Sequence, residues 1–551
     1  MPALLITLLC AAELLLFLLP GLTIILAVSR KCDLSPAYSL IATITTSSAF
    51  GYLAFWIYLA SKPAGQIFSY GLLAASFVGV LFRIKQKNAV FFLRSEFIVP
   101  LAYTFCLSLF YLSLLYLFVN PIRAGVDVAN VRFFPETRPG DNIIPFIFAE
   151  RIYDRAPIRP FCCGDWLSSD RPPLQAGIFL LQRPLRVAGN TFLQYQVLGT
   201  LLQCLWVCGI WSFLGTLGVS RRSITQVLGL LAFSGFLFYN SVYVWPKLLA
   251  ATFIFFVFAI LSRAALDRRP LTRIEMILAA LSFTFAALAH PGSVFSAPAI
   301  AVFLIIRRDL WRLKYAAIAL VMVAICFVPW TLYQKLYDPP GNRLLKMHLA
   351  GVMEPDARST VQAIGDAYGR LTLKTVLQNK WSNIETIVGA GPFWRGVRVA
   401  EREYVPEAIG VLTLGVILAL VLWMAGVSAK LPHAGMMVGA AALNLLVWCV
   451  VLFGPAQTVT EHGSYADIFL LSLGLIGFVL AAPRVLALVL LGLQVINLVF
   501  VWVVFQPVSF TLPTRVVVAP TLQWPMLILA VILGGPAFWH FGRSYLLPVP
   551  D

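Results

Sequence analysis

Apolar runs of 18 or more residues recur along this chain from Leu4 to its C-terminal region, and a soluble fold has no way to bury so many of them. A run of that length with few charges is the mark of a membrane-crossing helix. Of the 551 residues, 60% are apolar and 12% charged, against roughly 45–50% and about 25% in soluble domains. Those proportions exclude a soluble multidomain enzyme and a disordered chain. Segments of about ten residues alternating apolar and polar would indicate a β-barrel, and the sequence does not read that way. The expected fold class is all-α and polytopic.

About fifteen apolar runs are read as spans, near 4–28, 37–61, 66–83, 97–119, 193–217, 224–242, 247–264, 274–290, 292–306, 314–335, 404–427, 434–454, 465–482, 483–504 and 521–541. They divide the chain into a four-helix segment 1–119, an external loop 120–192, helices over 193–335, a second external loop 336–403 and C-terminal helices over 404–551. The first run lacks a basic leader and a small-residue cleavage site, which favours a retained helix over a signal peptide. Glu13 in its middle is costly against lipid and is expected to face another helix.

The net charge of +17 is not gathered into a nucleic-acid-binding domain. It lies in short clusters: Arg30 and Lys31 after run 1, Arg83 to Arg94 after run 3, Arg221 and Arg222 after run 5, Arg263 to Arg273 after run 7, and Arg307 to Lys314 after run 9. Each cluster follows an odd-numbered run, so one orientation places them all in the cytoplasm. The N-terminus is then outside, the C-terminus inside, and both long polar loops are non-cytoplasmic. Nine cysteines form no metal-ligand pattern. Cys204 and Cys208 read as small packing residues, and adjacent Cys162 and Cys163 as free thiols.

The two loops hold most of the outside carboxylates, a distribution that favours chemistry at the outer membrane face over transport through the bilayer. In the first loop, Gly140 and Asp141 precede a stretch from Asn142 to Tyr153 that suits a short interfacial helix. Asp141 stands at its N-terminus, as a catalytic carboxylate or as a helix cap. A second interfacial helix is expected over 175–186, after Asp170-Arg171-Pro172-Pro173-Leu174. Asp170 is read as a substrate-binding group or as a turn and ion-pair partner of Arg171. Asp127 is the reserve base.

An apolar bundle whose external loop begins with an aspartate, enters an interfacial helix carrying Ala149-Glu150-Arg151-Ile152, and continues to the Asp170–Leu174 motif resembles the GT-C superfamily of polytopic glycosyltransferases. The aminoarabinose and protein-mannosyl transferases belong to it. The resemblance implies a GT-C-like helical bundle and a polyprenyl-phosphate-linked sugar as donor. It implies a glycan, lipid or protein acceptor and an active site on the extracytoplasmic face of the cell membrane, with Asp141 as the catalytic base.

Transfer from a phosphate carrier to a hydroxyl also needs cations near the leaving phosphate. Lys247 at the outer start of its run is such a candidate or a snorkelling lysine. Arg343 and Lys346 share one helix face after the Asp338–Gly341 turn, as a phosphate clamp or as headgroup contacts. His348 follows on the same turns. His290, Glu461 and His462 lie in outer turns and are further substrate-binding candidates, with a structural role as the alternative for His290. No metal ligand set announces itself, so metal dependence stays open. No nucleotide-binding loop or zinc-protease motif occurs. A polysaccharide polymerase or ligase and a lipid-linked glycan flippase are the competing readings.

The orientation is directly testable. A tag near Arg268 is expected to be shielded from impermeant reagents in intact cells, and one near Pro139 to be labelled. Labelling at Arg268 would overturn the assignment.

Overall fold

The computed structural model describes residues 2–28, 35–85, 95–122, 128–129, 140–159, 161, 166–186, 190–339, 341–388, 434–454, 464–499 and 522–546. All regular structure among them is helical. In chain order the helices are α1 (Pro2–Val28), α2 (Pro36–Ala60), α3 (Lys62–Lys85), α4 (Ser95–Leu115), α5 (Ile144–Asp154), α6 (Leu174–Gln182), α7 (Thr191–Cys204) and α8 (Trp206–Thr216). They continue as α9 (Arg221–Ala232), α10 (Gly235–Val242), α11 (Lys247–Leu266), α12 (Arg273–Ala289), α13 (Ala297–Ile306) and α14 (Leu313–Leu336). The last are α15 (Arg343–Ala350), α16 (Thr360–Gly369), α17 (Leu373–Val388), α18 (Ala434–Val451), α19 (Ser464–Ala481), α20 (Arg484–Asn497) and α21 (Trp524–Leu546).

Among the described residues eight helices are long and apolar enough to cross a membrane, or nine with α9 and α10 taken as one span bent by 73°. That accounts for part of the fifteen expected. Other runs correspond to shorter apolar helices among the described residues, Pro291–Ile306, Gly435–Val451, Ile468–Ala481 and Arg484–Asn497. Others break: Ser234 leaves helical geometry between α9 and α10. The run expected at 404–427 lies outside the described residues. What stands is a helical membrane protein, with eight or nine helices of crossing length among the described residues.

The surface agrees. The outer helices α3, α14 and α21 expose Ile67, Val78, Leu313, Leu320 and Trp539, side chains that lipid tolerates and water does not. The centre is α11, almost wholly buried, with Phe255 and Phe258 against Phe469 of α19. Helix starts are set by local chemistry. Ser35 caps α2 ahead of Pro36, and Thr272 with Glu275 forms a reciprocal capping box on α12.

The basic loops meet at one end of the bundle. Arg221 pairs with Glu96, the Leu271 N–H donates to the Leu310 carbonyl at 2.7 Å, and the Arg307 guanidinium donates to the Ala265 carbonyl at 3.0 Å. A cavity of about 660 Å³ there is lined by Ser35, Glu96, Thr216, Arg263 and Arg269. The two long polar segments meet elsewhere, through the Asp170–Arg343 and Arg159–Asp338 pairs.

The second loop helix differs from expectation. Instead of lying at the surface over 175–186, α6 is shorter and buried at every residue. Glycines let it in. A Cβ on Gly177 would stand 2.3 Å from the Gly51 carbonyl oxygen of α2, so the two backbones touch. Alanine at Gly177 is therefore expected to lower the melting temperature in detergent by several degrees, since overpacking costs about 1–3 kcal/mol. Alanine at Gly71, where an added Cβ meets nothing, should hold or raise it, because Gly costs a helix about 1 kcal/mol. Equal effects at both positions would contradict the close approach.

Candidate functional site

Asp141 lies in a single 3₁₀ turn, Gly140–Ile143, that leads into α5. The start of α5 has no side-chain cap, so capping is not what the carboxylate does. Its side chain is 3% exposed and turns inward, where Oδ2 accepts from Arg171 and Oδ1 from the Trp245 indole N–H at 2.8 Å. Burial pushes this carboxyl above its ordinary range, against the pull of Arg171, Lys247 and the Trp245 hydrogen bond.

Asp170 is the last residue of a second 3₁₀ turn, Ser168–Asp170, and Arg171 follows it. The Asp170 carboxylate accepts from the Leu167 N–H at 2.9 Å, closing that turn, and from Arg343 of α15 at 3.0 Å. Burial raises this carboxyl too, opposed first by the Leu167 N–H and then by Arg343. The expected local pairing of Asp170 with Arg171 is thus exchanged for longer-range ones. Arg171 reaches Asp141, and only its second arm returns, donating to the Asp170 carbonyl at 3.1 Å. Trp166 lies beside both guanidiniums, 5.5 Å from Arg171 and 5.0 Å from Arg343.

Two supports were not legible from residue types. Asp338, read from sequence only as part of a turn, is buried and binds the first loop to the second. It accepts from Arg159 at 2.9 and 2.7 Å, from the Ser168 hydroxyl at 2.9 Å and from the Ser169 N–H at 2.8 Å. Beneath the site, Gln203 accepts from the Leu248 and Leu249 N–H groups, both at 3.1 Å, satisfying the open N-terminus of α11. Gln203 donates to Gln175, which in turn donates to the Tyr195 hydroxyl and the Val244 carbonyl. Val244 has φ 53°, a left-handed conformation that a β-branched residue adopts only under constraint. That strained residue aims Trp245 and Lys247.

Lys247 is fully buried, its ammonium 3.0 Å from the Trp245 ring centroid. A cleft of about 340 Å³ opens beside these groups. Its wall includes Asp170, Arg171, His290, Trp330, Asn342, Arg343, His348 and Trp448. Asp141 lies behind Arg171. Both histidines are held neutral: burial, then Lys247 and Arg171, pushes His290 well below its ordinary value, and burial, then Arg171 and Lys247, brings His348 to about 3.

The structure therefore gathers Asp170, Arg171, His290 and Arg343 on the wall of one cleft, with Asp141 and Lys247 near Arg171 but off that wall. It turns Lys346 elsewhere: its ammonium donates to the Asp356 carbonyl at 2.5 Å, and Arg171 rather than Lys346 lines the cleft beside Arg343. Asp127, Glu461 and His462 lie outside the described residues. Among the described residues no group of three or more His, Cys, Asp or Glu side chains is placed to hold a metal ion. No protein-family model matches the chain, and neither a curated protein nor a solved structure matches it.

The histidine environment sets a pH dependence. A ring that titrates near 6.5 when unfolded and near 3 when folded makes the unfolded state take up protons first. Its stabilising contribution is complete above about pH 6.5 and falls as pH drops toward the folded value. The protein is expected to melt lower at about pH 5 than at about pH 7.5, and His348→Gln to shrink that difference. An unchanged difference in the variant would remove His348 as its source.

Proposed function

We propose that the chain is an integral membrane glycosyltransferase that moves a sugar from a polyprenyl-phosphate carrier to a glycan, lipid or protein acceptor. The observation that carries the reading is the buried carboxylate of Asp141, set beside the cations Arg171 and Lys247 at the mouth of an apolar bundle. The GT-C-like architecture and the extracytoplasmic placement of the cleft belong to the same proposal.

In this reading the phosphate lies against Arg171 and Arg343, whose planar forks suit its oxygens. The lipid tail runs along the apolar flank, and Trp330 and Trp448 offer flat faces to the sugar. The acceptor hydroxyl gives its proton to Asp141 while its oxygen bonds to the anomeric carbon. The bond from that carbon to the phosphate oxygen breaks, and its electron pair leaves with the polyprenyl phosphate, where the arginines stabilise the added charge. A carboxyl raised by burial is the better base for this step. Every step uses side chains of the chain itself.

Glu13, buried in α1 with neither carboxylate oxygen hydrogen-bonded among the described residues, is the observation that favours a flippase. A path through the bilayer needs more such groups at depth. The other described charged side chains lie at helix ends and in loops, which favours chemistry at the rim.

Asp141→Asn tests the reading. It keeps the shape and the Trp245 hydrogen bond and removes the base. The variant is expected to fold and to bind a lipid phosphate while kcat falls at least about a hundredfold, the lower end of what general-base catalysis contributes. Near-normal turnover in the variant would sink Asp141 as the base.

A further inference from the structure

As the base of a transfer reaction, Asp141 stands in an unhelpful state. Both its oxygens accept hydrogen bonds, one from Arg171 and one from Trp245, and a carboxylate held by a guanidinium is a weakened proton acceptor. Arg171 also separates it from the cleft, whose wall it forms. The arginine itself is incompletely used. It is 2% exposed, one arm on Asp141 and another on the Asp170 carbonyl, while its buried Nε–H has no hydrogen-bond partner among the described residues. A buried donor without an acceptor is uncommon and calls for a partner from outside the chain.

We infer that Arg171 is an exchangeable ligand, bound to the Asp141 carboxylate until a phosphate enters the cleft and then transferred to that phosphate, so that arrival of the lipid donor is what exposes the base. The inference rests on the glycosyltransferase reading and adds an order of events to it. Phosphate offers the unused Nε–H an acceptor and competes for the arm on Asp141, because its oxygens can take two guanidinium N–H groups at once. Arg343, on the other side of Trp166, supplies the second guanidinium of the anion site. The indole gives Arg171 an aromatic face to lie on in either position. Asp141 does not lose its place when the arginine leaves, since the Trp245 N–H still holds its other oxygen. Without donor the carboxylate stays masked, and a water molecule or acceptor finds no free base.

The exchange has a thermodynamic signature. If phosphate must take Arg171 from Asp141, removing the carboxylate's charge makes phosphate bind more tightly, and the gain passes through Arg171. The probe is undecaprenyl phosphate titrated into the full-length protein in detergent, with binding read by native mass spectrometry in a double-mutant cycle. Asp141→Asn is expected to tighten binding about tenfold, the scale of one charge-assisted hydrogen bond. In an Arg171→Gln background the same change is expected to alter binding less than about twofold. An equal gain in both backgrounds would show a simple field effect and overturn the exchange, as would no gain from Asp141→Asn in the otherwise unchanged protein. If Arg171→Gln does not fold, the cycle is run with Arg171→Lys, which keeps the charge but has no Nε fork, and a coupling of the same sign is required. Failure of undecaprenyl phosphate to bind the unmodified protein would instead remove the glycosyltransferase reading itself.

Discussion

Burying a carboxylate at the mouth of an apolar bundle is the constraint from which the outer end of this molecule follows. An ionised acid out of water costs several kcal/mol unless it is paired and hydrogen-bonded. Asp141, Asp170 and Asp338 are all buried, and each takes an arginine from a distant part of the chain: Arg171, Arg343 and Arg159 respectively. Two of these pairs join the first long polar segment to the second. The loops dock on each other because neither can keep its acids buried alone, and the cleft is the space left where they meet.

The helical framework beneath has a different origin. Its apolar faces drive burial without specifying register, so the register comes from polar groups that must be satisfied inside it. Gln203 stands in for the missing cap of α11, and Gln175 holds the carbonyl of the strained Val244. Such a cluster rigidifies only if it is completely paired, and its chain of partners ends on the Asn142 carbonyl beside Asp141, reached by the Tyr195 hydroxyl at 3.1 Å. The buried amides therefore connect the core to the residue that the site depends on.

How much of this was readable in the residues divides along the same line. The membrane class follows from apolar run length, a property of each segment by itself, and it holds. Run length does not by itself mark a continuous helix, because Ser234 and the short helices after His290 interrupt runs that hydropathy averages over. Asp141, Arg171, Lys247, His290 and Arg343 were recognisable as charged or titratable groups at the rim, and they do converge. Lys346 shares a helix face with Arg343, but a face is not a direction of reach, and its long side chain turns back to Asp356. Asp338 and the glutamines escaped notice because a turn aspartate and a core amide carry no local mark of what they bind across the fold.

The charge of the cleft is also divided by type of group. Histidines would be the natural place for a site to sense pH, yet the two that line it are held neutral by burial and by the neighbouring cations. Its positive charge comes from guanidiniums, which do not deprotonate. A neutral imidazole keeps one donor and one acceptor nitrogen, which suits a hydroxyl group better than a phosphate. In the proposed reading, that division would put anion recognition on Arg171 and Arg343 and leave His290 and His348 to hydrogen-bond an uncharged part of the ligand. The guanidiniums would then keep the cleft positive across the physiological pH range, while the raised carboxyls of Asp141 and Asp170 are the acidic groups that burial brings closer to it.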